Sequence, residues 1–223
     1  MSSAHPSAEL RAIYQRRFAG KGEYRNRIWR VLVESYFAQW LSIESVVLDL
    51  GCGHCEFINN VRCGRRFAMD LNPDSIERAA AGVEVLTQSC SDRWPVADDS
   101  LDVVFTSNFF EHLPTKGDLR ATLIEARRCL RAGGRIIALG PNIRYLPGAY
   151  WDFYDHYLPL TERSLAEVMA ETGFTLEQQI ARFLPYTMSS PGSSPPTWLL
   201  RLYLRLKFVW PFFGKQFLVI AAK

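Results

Sequence analysis

The sequence predicts a doubly wound α/β fold, a mainly parallel sheet with helices on both faces, and three observations carry that prediction. From Val46 onward, short apolar runs alternate with segments of helical periodicity. The runs are continuous rather than alternating, as in strands covered on both sides. The first of them ends in Gly51-Cys52-Gly53, a tight glycine turn at the carboxyl end of a strand, where open α/β sheets bind ligands.

The elements follow in order. Residues 7–20 and 24–41 read as Arg-rich amphipathic helices, and residues 1–45 as a helical cap on a domain spanning 46–223. Val46–Leu50 is the first strand and Arg66–Asp70 the second. Asn72-Pro73-Asp74 opens a helix through Ala81 by capping. Val83–Gln88 and Leu101–Ser107 are the third and fourth strands. Residues 116–131 form an amphipathic helix that Gly133-Gly134 stops, and Arg135–Leu139 is a fifth strand. Thr161 caps a helix through Glu171, closed by Gly173, before final strands at Phe174–Phe183 and Gln216–Ala222. Between those two strands lies an insertion, residues 185–214.

A chain of 223 residues with 48% hydrophobic and 22% charged residues is globular; disorder throughout and disulfide-rich scaffolds are excluded. Five cysteines without framework spacing point to a reducing compartment, and the polar first ten residues carry no secretory h-region, so a cytoplasmic location is expected. The net charge of +3 conceals an asymmetry. After Glu177 there is no further acid, and the last 46 residues carry +6 against −3 for the rest.

The glycine turn narrows the ligand. Gly51 and Gly53 let backbone approach a small molecule, and Asp70, about 20 residues on, is placed to grip a ribose diol. The third glycine of a dinucleotide fingerprint falls on Glu56, an acid that repels pyrophosphate, and Asp49 suits a cationic amino group. An amino-acid end, a ribose and no phosphate describe S-adenosylmethionine.

At this point the residues resemble the class I S-adenosylmethionine-dependent methyltransferases, closely from about Val46 to Phe174 and more loosely beyond. Leu48-Asp49-Leu50-Gly51-Cys52-Gly53 is similar to their glycine-rich first motif, and Met69-Asp70-Leu71-Asn72-Pro73 to the second, with Asp70 on the ribose and Leu71 against adenine. The segments 93–104, Asn108–Pro114 and Leu130–Arg135 resemble the three signatures that follow. Five motifs in order are far more specific than any one. The resemblance implies a Rossmann-like seven-stranded sheet with an antiparallel last strand, and cofactor contacts from Asp49, Gly51, Cys52, Gly53, Asp70, Leu71, Cys90, Ser91 and Asn108. Cys55 stands where the family usually has a small residue, and Cys90 where it usually has an acid on adenine.

Other patterns have plainer readings. Cys52-Gly53-His54-Cys55 matches a disulfide-exchange motif, with a helix N-terminus expected to lower the thiol pKa, but a thiol oxidoreductase leaves the other motifs unexplained. Zinc on Cys52, His54, Cys55 and Cys63 is poorly spaced, and no metal is expected. Glu111-His112 reads as holding a loop and the following helix start; His112 is a second catalytic candidate.

On the acceptor side, residues 141–159 are rich in aromatics and carry Asp152, Asp155 and His156. His156 is the best general-base candidate, oriented by either aspartate; the alternative is a histidine that anchors the loop. In the insertion, 189–196 reads as a linker and Thr197 to about Trp210 as a helix stopped by Pro211. Leu199, Leu202, Tyr203, Leu206 and Trp210 share a face opposite Arg201 and Arg205. That stripe packs on its own domain, on a second subunit or on an anionic membrane through 197–213, with Trp198, Trp210, Phe212 and Phe213 as interfacial anchors. Nucleic acid ranks below these, because the stripe is too apolar. The texture resembles bacterial enzymes of glycan or lipid-linked sugar assembly, so the expected acceptor is a small molecule, a glycan or a lipid-linked sugar, methylated on oxygen or nitrogen. A catalytically silent binding module remains open, as does the oligomeric state.

Overall fold

The computed structural model describes residues 22–186 and 195–223. The helix expected over 7–20 and most of the 189–196 linker lie outside the described residues. The described chain forms a seven-stranded sheet in the order β3-β2-β1-β4-β5-β7-β6. Its strands are β1 (Val46–Leu50), β2 (Arg65–Met69), β3 (Val83–Leu86), β4 (Leu101–Ser107), β5 (Leu130–Pro141), β6 (Thr175–Leu184) and β7 (Gln216–Ala222). β7 runs antiparallel to both β5 and β6, while β1–β2, β2–β3 and β4–β5 are parallel. This is the doubly wound α/β architecture that the sequence predicts.

The chain divides into two compact units, the first covering 22–89 with 195–206 and the second 90–186 with 207–223. In the first, β1 and β2 bury Val47, Leu48, Leu50, Phe67, Ala68 and Met69. Two helices cover them, α1 (Gly22–Ser35) and α2 (Glu56–Asn60), and Trp29 of α1 meets Phe57 of α2 edge-on at 6.0 Å. The predicted helix over 24–41 breaks after Ser35 and resumes as a short 3₁₀ turn, Phe37–Trp40. The helix after β2, α3, covers only Asp74–Arg78; Pro73 is its N-cap position without a side-chain cap bond, and Asn72 before it accepts the Asp74 N–H at 3.0 Å in an Asx turn that leads into the helix.

In the second unit, α4 (Lys116–Cys129) and α5 (Glu162–Glu171) each begin with a threonine in a reciprocal capping box, Thr115 with Asp118 and Thr161 with Ser164. Gly133-Gly134 does not end α4. The strand β5 starts at Leu130, pairs Leu130 with Leu101, and shifts register before Val103 meets Arg135, so the glycines lie in its irregular opening.

The insertion departs most from expectation. Its helix α6 (Thr197–Arg205) ends before Trp210, and Pro211 sits in the first turn of a separate short helix, α7 (Trp210–Phe213), where a missing N–H costs nothing. The expected faces hold only in part: Arg205 is exposed and Tyr203 and Leu206 are half-buried, but Arg201 reaches α1, 2.9 Å from Glu34 and 3.0 Å from Ser35, and Leu204 is the helix's buried leucine. Leu199 and Leu202 stand exposed. Trp210, expected as an interfacial anchor, is buried in the second unit against Phe183 at 5.0 Å.

Arg25 of α1 and Glu56 of α2 form a buried ion pair at 2.9 Å. Removing one member strands a charge, so Arg25→Met is expected to lower urea-unfolding stability by about 3 kcal/mol or more, and Arg25→Met with Glu56→Leu to recover most of it.

Candidate functional site

The first unit holds a glycine loop stapled to the end of β2. The Gly51 and Cys52 N–H groups donate to Met69 O at 2.8 and 3.1 Å. The loop needs left-handed backbone at Gly51 (φ 68°), Gly53 (φ 50°) and Cys55 (φ 59°), costless for glycine and roughly 1–2 kcal/mol for an L-residue. Cys55 tolerates it with its side chain fully buried.

Asp70 closes the loop. One carboxylate oxygen accepts the Gly53 N–H at 2.7 Å and the other the Asn72 N–H at 2.8 Å. Each oxygen offers further acceptor capacity, which a ribose diol can use. Leu71 follows with its apolar side chain 46% exposed, an available face for a flat ring. Asp49 is buried beside them, and burial pushes its carboxyl well up, reinforced by Glu56 and Asp70. His54 is pushed down to about 4 by burial and by Arg78 and Arg25, so it brings no positive charge at neutral pH. A sulfonium or ammonium group beside Asp49 would favour its ionised form, whereas a phosphate would oppose it. Glu56, read from the sequence as repelling pyrophosphate, is engaged with Arg25 instead.

The Cys55 thiol donates a hydrogen bond to the Cys52 sulfur at 3.7 Å, and both cysteines are free of disulfides. The expected lowering of thiol pKa is reversed at Cys52, whose pKa is raised by its hydrogen bond with Cys55, by burial, and by Asp49 and Asp70. Nor do Cys52, His54, Cys55 and Cys63 make a metal-binding group among the described residues.

The second unit holds Cys90, Ser91 and Asn108. The segment from Cys90 to Val96 is fixed by α4: Arg128 donates to Trp94 O at 3.1 Å and Val96 O at 3.0 Å, while Glu125 accepts the Trp94 N–H at 3.0 Å. The Trp94 indole N–H donates to Cys90 O at 2.8 Å, and the buried Cys90 sulfur accepts from Thr122 at 3.2 Å. Half-buried Ser91 follows. At the end of β4, Asn108 takes positive φ (49°) and donates its side-chain N–H to Ser107 at 2.9 Å. Its Oδ1 is buried without a hydrogen-bond partner, an acceptor that a donor group on a ligand would satisfy.

The same unit assembles a cluster that the sequence scatters over 46 residues. Glu111 and His112 form a 3₁₀ turn after β4, and the Glu111 carbonyl accepts the N–H groups of Tyr157 and Leu158 at 2.8 and 3.1 Å. That double tether brings His156 against His112, ring centroids 4.8 Å apart. Phe153 stacks on His156 at 5.0 Å and Tyr150 meets it edge-on at 4.8 Å. Asp155, expected to orient His156, engages His112: its carbonyl and its carboxylate lie 2.8 and 3.3 Å from His112 Nδ1. Asp152 is exposed. Burial pushes Glu111 up to about 7, with His112 pulling the other way. At His112 burial opposes the charge, but Asp155 and Glu111 outweigh it and raise its pKa. Glu111, His112 and His156 each offer a ligand atom, all within 4.8 Å of one another.

Comparison with known proteins agrees with the glycine loop. Residues 48–138 match the model of a methyltransferase domain. That stretch is similar to a methyltransferase domain, and the fold is similar to that of S-adenosylmethionine-dependent methyltransferases of known structure. It is 30% identical over 117 residues to a methyltransferase of Encephalitozoon cuniculi, 51% of this chain and 52% of that protein, so the match spans about half the relative's length. Among solved structures, a methyltransferase from Archaeoglobus fulgidus has TM-score 0.66 at 19% identity, covering 92% of this chain and 99% of the other. The N-methyltransferase NodS of Bradyrhizobium japonicum, in complex with S-adenosylhomocysteine, has TM-score 0.64 at 13% identity, covering 96% and 98%. The donor set described above fits S-adenosylmethionine: an accepting Asp70, the buried Asp49 and an exposed Leu71.

Cys55 tests how much the loop's geometry matters. Cys55→Gly is expected to leave thermal stability close to wild type, whereas Cys55→Val, β-branched at positive φ, is expected to cost roughly 2 kcal/mol in chemical denaturation.

Proposed function

We propose that the protein transfers the methyl group of S-adenosylmethionine to an oxygen or nitrogen of a small-molecule, glycan or lipid-linked acceptor. The observation that carries the reading is the Asp70 carboxylate, which accepts the Gly53 and Asn72 N–H groups at 2.7 and 2.8 Å and so fixes the glycine loop to the end of β2, with the exposed Leu71 next to it. When bound, the cofactor supplies an electrophilic methyl on a positively charged sulfur. The residues of the chain hold and orient. Asp70 would bind the ribose hydroxyls, Leu71 would cover the adenine, and Asp49 would stabilise the amino end. Backbone at Gly51, Cys52 and Gly53 would allow close approach, and Cys90, Ser91 and Asn108 are the further cofactor contacts that the resemblance implies. In-line displacement gains most from holding the reacting atoms together.

The acceptor side is assigned to the Glu111–His112–His156 cluster, where the proton of the incoming oxygen or nitrogen is lost. His156 is fixed by its aromatic neighbours and His112 by Asp155, so both imidazoles are held in one orientation.

A lipid-linked acceptor draws support from two exposed apolar surfaces with basic neighbours. In the first unit α6 exposes Trp198, Leu199 and Leu202 near Arg205; in the second, Phe208, Phe212 and Phe213 are exposed near Lys207. No helix among the described residues is long and apolar enough to cross a membrane. Contact is therefore proposed to be peripheral, at the cytoplasmic face of an anionic membrane.

Labelled methyl donor offered with soluble glycans and with glycolipids in anionic vesicles tests the reading. Label is expected in an acceptor, more from vesicles, and His156→Ala is expected to cut turnover at least about 100-fold with S-adenosylhomocysteine affinity unchanged. Near-normal turnover in that variant would remove His156 from the mechanism.

A further inference from the structure

We propose that Glu111, His112 and His156 form a binding site for one divalent transition-metal ion, with manganese, iron(II) or zinc as the fitting class. The three ligand atoms lie within 4.8 Å of one another. Two groups bound to one ion at about 2.1 Å stand at most about 4.2 Å apart, so small side-chain rotations close the set. One carboxylate with two imidazoles, and no thiolate, suits these metals better than calcium, which prefers all-oxygen cages.

Two further features go beyond proximity. His112 is oriented as metal-bound histidines are: its Nδ1 faces the Asp155 carbonyl and carboxylate, which fixes the proton there and leaves Nε2 as a ligand. Glu111 is only 2% exposed and, among the described residues, no lysine or arginine forms an ion pair with it. A metal ion held there would place its charge directly against this buried carboxylate. The site is also stiff, since the Glu111 carbonyl is bonded to 157–158 and Phe153 and Tyr150 flank His156. The His112 side chain is 24% exposed, an approach for water or an acceptor to the positions that three protein ligands leave open.

The site's role in catalysis rests on the proposed function. An acceptor hydroxyl on the ion would lose its proton to solvent; the oxygen then takes the methyl carbon, and the sulfonium leaves as a neutral thioether. His112 and His156 would be ligands rather than bases, and acceptors with a hydroxyl, above all with two adjacent oxygens able to chelate, would be favoured over amines.

The test is metal binding by the whole purified chain after chelator treatment and dialysis. Titrated with manganese(II), followed by loss of the free-ion electron paramagnetic resonance signal, wild type is expected to bind one equivalent. Glu111→Gln and His156→Gln are expected to weaken binding at least about 100-fold, and Asp155→Asn about 10-fold, with melting temperatures near that of the metal-free wild type. Pulsed resonance on the wild-type adduct is expected to show imidazole-nitrogen couplings, and this readout does not depend on any variant folding. No stoichiometric uptake by wild type, no nitrogen coupling, or undiminished affinity in both ligand variants would overturn the site. Metal binding without S-adenosylhomocysteine binding would overturn the proposed function and leave the site standing.

Discussion

The cofactor loop depends on one carboxylate. Asp70 ends the strand that carries the Gly51 and Cys52 hydrogen bonds, and its two oxygens hold Gly53 on one side and Asn72 on the other. Asn72 in turn accepts the N–H of Asp74, the first residue of α3. The loop's left-handed residues, the turn after β2 and the start of the next helix are therefore set by the same side chain. Charge-assisted hydrogen bonds to backbone are about twice as strong as neutral ones, so this is a stiff arrangement. Pre-organisation of this kind lowers the ordering cost when a ligand arrives.

The electrostatics of the two units differ in kind. In the first, burial pushes the Asp49 carboxyl well up, reinforced by Glu56 and Asp70, while burial, with Arg78 and Arg25, pushes His54 down to about 4. A positively charged ligand beside Asp49 would favour its ionised form. In the second, Glu111, His112, Asp155 and His156 gather acids and imidazoles in one place, an arrangement suited to proton loss or to a metal ion. Bulk charge explains neither. The basic tail, conspicuous in the sequence, spends part of its charge on structure: Arg201 holds α6 to α1, and Arg182 donates to Gly214 and Phe212 carbonyls.

Much of this was legible in the residues. β4 and β7 have the bounds that the sequence predicts, and Thr161 marks the start of α5 through its side-chain cap. The glycine loop and Asp70 were readable because their chemistry is tied to a fixed place, the carboxyl ends of adjacent strands. The insertion was not. Apolar spacing continues past Leu206 although the backbone breaks there, and periodicity cannot tell a leucine stripe that packs from one that stays exposed, as Leu199 and Leu202 do. Asp155 was matched to His156, its neighbour in sequence, because the turn that places it on His112 is set by tethers to Glu111, 46 residues away from Tyr157. Clusters built across such distances leave no spacing signal.

The central claim is that Asp70 organises a site for an adenosyl amino acid, and calorimetric titration with S-adenosylhomocysteine tests it most directly. Wild type is expected to bind one equivalent with micromolar affinity, and Asp70→Asn, which keeps the shape but removes the charge and one acceptor, to bind at least about 10-fold more weakly. No binding by wild type, or equal affinity in the variant, would contradict the account.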